Sequence, residues 1–183
     1  MTRVERLAEI ARLAVHAERA IHRPGEPGCP AEMTVGQWAM ESSWGERAPG
    51  HNAFGIKRAK RHPNWNLTWT REVVRAGHPV LTHPDAVIED LPGNVFSVRL
   101  PMEFAAYDSL SDAVADYAWL ITNGEPYRAA WQGYLADRDL YDLIEGVARV
   151  YATDPGYCAL LTTIAHQRNV RDAVAKARQG VAA

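Results

Sequence analysis

Apolar residues at Val4, Leu7, Ile10, Ala11, Ala14, Ala17 and Ile21 recur at the three-and-four spacing of a helix that buries one face, and Thr2 with Glu5 forms a capping box at its start. The stretch RPGEPGCP, Arg23 to Pro30, is dense in Pro and Gly and predicts a loop that crosses to a second helix. Thr34 and Gln37 offer that helix a capping pair, and Gly45 offers it a stop. The period then changes. Trp69, Arg71 and Val73 alternate with Thr68, Thr70, Glu72 and Val74, and later Phe96, Val98 and Leu100 alternate with Ser97 and Arg99, which predicts two strands. Between them RAGHPVLTHPDAVIEDLPG, approximately residues 75–94, mixes prolines and glycines with acids and predicts a long loop.

Helical spacing returns after Tyr107. Ser109 and Asp112 form a capping pair, Leu110, Val114, Tyr117 and Ile121 form the buried stripe, and Asn123-Gly124 ends it. Further helices are predicted over Tyr127–Tyr134, Leu140–Tyr151 and Pro155–Arg178, the last with Asp154 as N-cap and Pro155 at its first position. Helices, a short antiparallel patch, then helices again make an α+β fold dominated by helix. We expect residues 1–183 to form one domain, with a β-lobe over approximately 64–106.

Composition narrows the classes. The 20 basic and 22 acidic residues leave no positive excess with which to hold nucleic acid. The N-terminal segment interrupts its apolar residues with Glu and Arg, so neither a signal peptide nor a membrane span is expected there. Cys29 and Cys158 are too few for a disulfide scaffold and lack metal-ligand spacing; two free thiols are expected, with a single bridge as the alternative. The seven histidines show no HExxH or Cys-paired spacing, so no metal chemistry is expected. The basic run KRAKRHP, Lys57 to Pro63, reads as a solvated loop or as an attractor for an anionic polymer.

One carboxylate stands out. Glu41 falls near the end of the second helix, where the negative end of the macrodipole disfavours an ionised acid, and Trp38, Met40 and Trp44 offer it apolar neighbours. A general acid must hold its proton near neutral pH, whereas an ordinary Glu with a pKa of about 4.3 is ionised there. Both features push in the direction a proton donor needs. On position alone, a surface acid or a carboxylate that bonds the following turn is the competing reading.

The order QWAMESSWG followed by NAFGIK resembles the signature of family 73 glycoside hydrolases, the peptidoglycan-cleaving endo-β-N-acetylglucosaminidases. TREVV at Thr70 to Val74 resembles the family's β-lobe strand, FAAYDS at Phe104 to Ser109 its F-R-x-Y-x-S, and YATDPGY at Tyr151 to Tyr157 its C-terminal tyrosine motif. Ser43 stands where the family more usually has Gly, and Ala105 replaces the usual Arg.

The resemblance implies a lysozyme-like fold in which a helical lobe and a small antiparallel β-lobe flank a cleft. It implies Glu41 as general acid and Glu72 as the β-lobe carboxylate, which either activates water or stabilises positive charge on the sugar; in a third route the substrate's own 2-acetamido oxygen attacks. It implies Tyr151 near the acid. Trp44, Asn52, Phe54, Tyr127 and Tyr157 are the candidates for substrate contact. The implied activity is cleavage of the β-1,4 bond between N-acetylglucosamine and N-acetylmuramic acid at the cell wall, extracellular or periplasmic. The implied agent is a monomer on glycan strands, with no cofactor, nucleic acid or membrane insertion. A muramidase or lytic transglycosylase, and a non-catalytic glycan-binding module, are the alternatives.

Overall fold

The computed structural model describes residues 1–152, 154 and 156–180. Among them the chain forms α1 (Arg3–Ala20), α2 (Ala31–Glu41), β1 (Trp65–Arg75), β2 (Val87–Leu91), β3 (Val95–Ala105), α3 (Leu110–Asn123), α4 (Arg128–Asp137), α5 (Leu140–Tyr151), α6 (Tyr157–Ala165) and α7 (Arg168–Gly180). This is the helix-dominant α+β layout predicted from the periodicity.

The predicted capping box closes α1: Thr2 and Glu5 satisfy each other's backbone N–H. Its buried stripe starts at Leu7, because Val4 in the first turn stays exposed. The predicted Thr34–Gln37 cap is not formed. α2 begins four residues earlier, after Pro30, and both side chains lie buried inside it. Its N-terminal donor is satisfied from outside: the Ala31 N–H donates to Glu18 of α1 at 3.3 Å. Arg178 of α7 binds both Glu18 and Glu32, with contacts down to 2.6 Å, so one guanidinium ties three helices.

α2 stops at Glu41, not at Gly45. The Ser42 hydroxyl bonds back to the Trp38 carbonyl and accepts from Gly45 N–H, and Ser43, Trp44 and Gly45 all take positive φ. The Trp44 N–H reaches back to the Ala39 carbonyl, closing the helix end. Glu41 is therefore the last helical residue.

The sheet is antiparallel in the order β1-β3-β2. β2 lies inside the segment predicted as loop, together with a 3-10 turn at Pro79–Thr82. Its sequence VIEDL is almost wholly exposed, so no buried alternation marked it. In the register, Thr68, Thr70 and Glu72 face Met102, Leu100 and Val98, which places all three on one side of β1. Val74, Val98 and Leu100, joined by Val80, Leu81, Ala86, Phe96 and Met102, make a small core for this lobe, separate from the helical core around Trp38, Tyr117 and Trp131.

The predicted terminal helix is two helices. A break at His166 and Gln167, where the His166 ring bonds the Thr162 carbonyl, turns the chain so that α6 packs on α2 while α7 packs on α1. Asp154 accepts from Gly156 N–H, and Pro155 lies outside the described residues. Cys29 and Cys158 are free thiols; burial pushes the Cys29 thiol up to about 12. No described helix is long and apolar enough to cross a membrane.

The crossing from α1 to α2 depends on Gly28. A Cβ there would sit 2.0 Å from the Glu18 carbonyl oxygen, which is backbone and cannot swing away. Gly28→Ala is expected to cost about 1–3 kcal/mol, read as a lower midpoint in chemical denaturation with an unchanged far-UV spectrum.

Candidate active site

Among the described residues the Glu41 side chain makes one hydrogen bond: the Tyr157 hydroxyl of α6 donates to its Oε1 at 2.6 Å. The Tyr157 oxygen in turn accepts from Gln37 Nε2 at 2.9 Å, and the Tyr117 hydroxyl of α3 donates to Gln37 Oε1. Gln37 stands four residues before Glu41, one turn back on the same helical face, and is fully buried, as is Tyr117. Tyr117 is itself held by Phe54, whose ring stacks on it with centroids 4.4 Å apart. A chain of polar groups thus runs from the core to the carboxyl.

Glu41 is open to a cavity of about 190 Å³ lined also by Arg47, Pro49, Asn52, Gly55, Asn66, Thr68, Thr70 and Phe104. Asn66, Thr68 and Thr70 alternate along β1, so the sheet presents a polar ladder to the carboxyl. Gly55 has φ +64, and a Cβ on it would face Glu41 Oε2 at 3.6 Å. The second oxygen therefore looks into the cavity. Glu41 is an exposed residue, yet the protein packed around its carboxyl partly buries the acid group. That burial raises its pKa, and the opposing bond from Tyr157 does not reverse the shift.

The predicted residues separate into two groups. Glu72 lies on the same side of β1 as Thr68 and Thr70, half-buried, with Lys57 Nζ at 3.5 Å. Tyr151 and Tyr127 line a neighbouring cavity of about 280 Å³ on the far side of Gly55, their ring centroids 6.2 Å apart. The Tyr151 hydroxyl donates to the Phe54 carbonyl, while the hydroxyl on Glu41 belongs to Tyr157, whose ring stacks on Tyr151.

Three residues predicted to contact substrate have their side chains engaged within the protein. Phe54 is fully buried, so its ring cannot meet a sugar. Asn52 uses its amide on the Ile56 and Ala105 carbonyls and on Ile56 N–H, pinning the loop to β3. Trp44 is turned towards α1 by its positive φ; the Arg3 guanidinium covers its ring at 3.7 Å and Trp38 meets it edge-on. The periodicity could not reveal these constraints, because each comes from a left-handed turn or from a partner distant in sequence.

The basic run is neither free nor solvated throughout. Lys57 pairs with Glu72, Arg58 with Glu103, and Arg61 with Asp116 through two bonds. Asp116 also accepts from Tyr107 at 2.7 Å and contacts His62 at 3.0 Å. Burial works against the charge of Asp116, but the bonds from Arg61, Tyr107 and His62 outweigh it and hold the carboxyl below its usual value. These pairs strap the loop wall of the cleft to α3, β1 and β3. Among the described residues, no three His, Cys, Asp or Glu side chains converge as metal ligands would.

The sequence model of the glucosaminidase family, described as mannosyl-glycoprotein endo-beta-N-acetylglucosaminidase, matches residues 17–170. The chain belongs to this glycoside hydrolase family. It is 28% identical over 170 residues to the peptidoglycan hydrolase FlgJ of Escherichia coli strain K12, covering 92% of this chain and 49% of that protein. The chain thus spans about half the length of the curated relative it matches. Among solved structures, the glycoside hydrolase domain of Salmonella typhimurium FlgJ aligns with a TM-score of 0.59 at 21% identity, covering 98% of this chain and 97% of that one. The catalytic domain of the autolysin Auto from Listeria monocytogenes aligns with a TM-score of 0.63 at 19% identity, covering 94% and 88%. These neighbours share the lysozyme-like glucosaminidase fold expected from the motifs.

A raised carboxyl pKa has a stability consequence of definite sign. Above the ordinary value of about 4.3 the unfolded chain ionises Glu41 freely while the folded chain resists, so folding loses free energy as pH rises through that window. Glu41→Gln is therefore expected to unfold at a higher temperature than wild type at pH 7, with the difference vanishing near pH 4. Scanning calorimetry at the two pH values checks it.

Proposed function

We propose that the chain is a peptidoglycan hydrolase that cleaves the β-1,4 bond between N-acetylglucosamine and N-acetylmuramic acid, with Glu41 as the general acid. The observation that carries this reading is a carboxyl raised in pKa by burial, held by Tyr157 on one oxygen and open to a cavity on the other. Family membership supplies the reaction class, and the peptidoglycan hydrolases among its relatives support the polymer.

In this reading the proton of Glu41 passes to the glycosidic oxygen as its bond to C1 breaks, and the departing sugar keeps the bonding electrons. Water then adds to C1 and gives up a proton. Glu72 is the second carboxylate, anchored by Lys57 on the cleft side of β1, and acts on that water or on the positive charge at C1. Tyr151 and Tyr127 form an aromatic wall for the next sugar, while the ladder Asn66, Thr68 and Thr70 offers hydrogen bonds to hydroxyl and acetamido groups. The reading takes residues 1–183 as one catalytic domain, monomeric, acting on wall glycan without a cofactor.

Digestion of purified peptidoglycan with mass analysis of the new ends tests it. Wild type should release reducing N-acetylglucosamine ends, and Glu41→Gln should lower that rate by about 10²–10⁴-fold. Reducing N-acetylmuramic ends would indicate a muramidase, anhydro ends a transglycosylase, and binding without new ends a glycan-binding module. Glu72→Gln at the wild-type rate would remove the second carboxylate from the mechanism.

A further inference from the structure

We propose that Gln37 and Tyr117 are positioning residues: they fix the direction of the buried hydrogen-bond chain so that Tyr157 gives its proton to Oε1 of Glu41, which reserves Oε2 for the proton that is transferred. The proposal rests on the reading of Glu41 as the acid.

The direction follows from a count of protons. Tyr117 is fully buried, its ring packed on Phe54, and its hydroxyl meets Gln37. A phenol has one proton to give, and an amide has one end that accepts and one that donates. With the amide oxygen towards Tyr117, the amide N–H points at the Tyr157 oxygen, and the proton of Tyr157 is left for Glu41 Oε1. With the amide reversed, its N–H would face the Tyr117 oxygen and the Tyr117 proton would have no acceptor in a buried site, the costlier arrangement. Tyr157 would then give its proton to Gln37, and Glu41 would lose its donor.

The direction matters because Oε1 cannot hold a proton while one is aimed at it. A protonated Glu41 must carry its hydrogen on Oε2, the oxygen facing Gly55 in the cavity. There it can reach a substrate oxygen. Around the carboxyl stand Tyr157 on α6, Tyr151 on α5 and Arg47 on the loop after α2; the cleft side of β1 carries Glu72, paired with Lys57. Of these, Tyr157 is the group hydrogen-bonded to Glu41.

Tyr117→Phe separates positioning from packing. It keeps the ring stacked on Phe54, does not touch Glu41, and frees the Gln37 amide to reverse. Initial rates on solubilised peptidoglycan should then show kcat lowered several-fold with KM little changed. The high-pH limb of kcat/KM should move upward by roughly half a unit, since the donated bond that favours the ionised acid is weakened. Tyr157→Phe should move the limb in the same direction and further, and the double variant should move it no further than Tyr157→Phe alone. A limb unmoved in Tyr117→Phe, or an additive shift in the double variant, overturns the proposal. Should Tyr117→Phe not fold, Tyr117→Met, which also removes the phenol proton and leaves the Gln37 amide free to reverse, is read the same way: the limb must rise. If Glu41→Gln retains full activity, the acid assignment itself fails; if it is inactive while the limb stays fixed in Tyr117→Phe, the positioning role alone fails.

Discussion

The hydrogen bond from Tyr157 to Glu41 is the contact on which the candidate site depends. It joins the last residue of α2 to the first of α6 and sets the direction in which the carboxyl faces. Two influences oppose each other at this point. Burial, with the negative end of the helix dipole beneath, favours the protonated acid; the donated bond favours the ionised one. Burial wins, so the bond acts as a tether more than as a stabiliser of charge. α2 has no basic residue in its last turn, which is what leaves the acid uncompensated.

The two lobes divide the work. The helical core supplies a rigid, fully buried support for Glu41 through Gln37 and Tyr117, and rigidity there is what keeps a proton donor aimed. The sheet supplies a surface of alternating polar side chains whose spacing follows from the pleat. Between them the segment from Asn52 to His62 is strapped to β3 and α3 by amide bonds and ion pairs, with Gly55 at the junction of the two cavities. Lys57, Arg58 and Arg61 already hold carboxylates, so most of the basic run builds the cleft wall, and Lys60 is the exposed cation left beside it.

Much of this was legible in the sequence where a local rule operates. The capping box of α1, the Ser109 cap of α3 and the limits of α5 follow from spacing and cap residues, and the motifs placed Glu41 and Glu72 on elements that face one cleft. What escaped has a common cause. Gln37 reads as a capping residue beside Thr34, but its partners lie 80 and 120 positions away, and no periodicity reports them. Phe54 and Trp44 flank the motif in sequence, yet a buried stack takes one and a left-handed turn points the other away. β2 has exposed residues on both sides, so hydrophobic alternation could not announce it. The single predicted C-terminal helix carries no Gly or Pro at His166 and Gln167 to mark the break.

Two features give the account its direction: Glu41 as an acid made reluctant to ionise by its surroundings, and a hydrogen-bond chain that holds it in place. The most direct test is to titrate that carboxyl itself, following its side-chain carbonyl carbon by NMR in the wild-type protein labelled at glutamate. A midpoint clearly above the ordinary glutamate value of about 4.3 is expected. A midpoint at or below that value would contradict it.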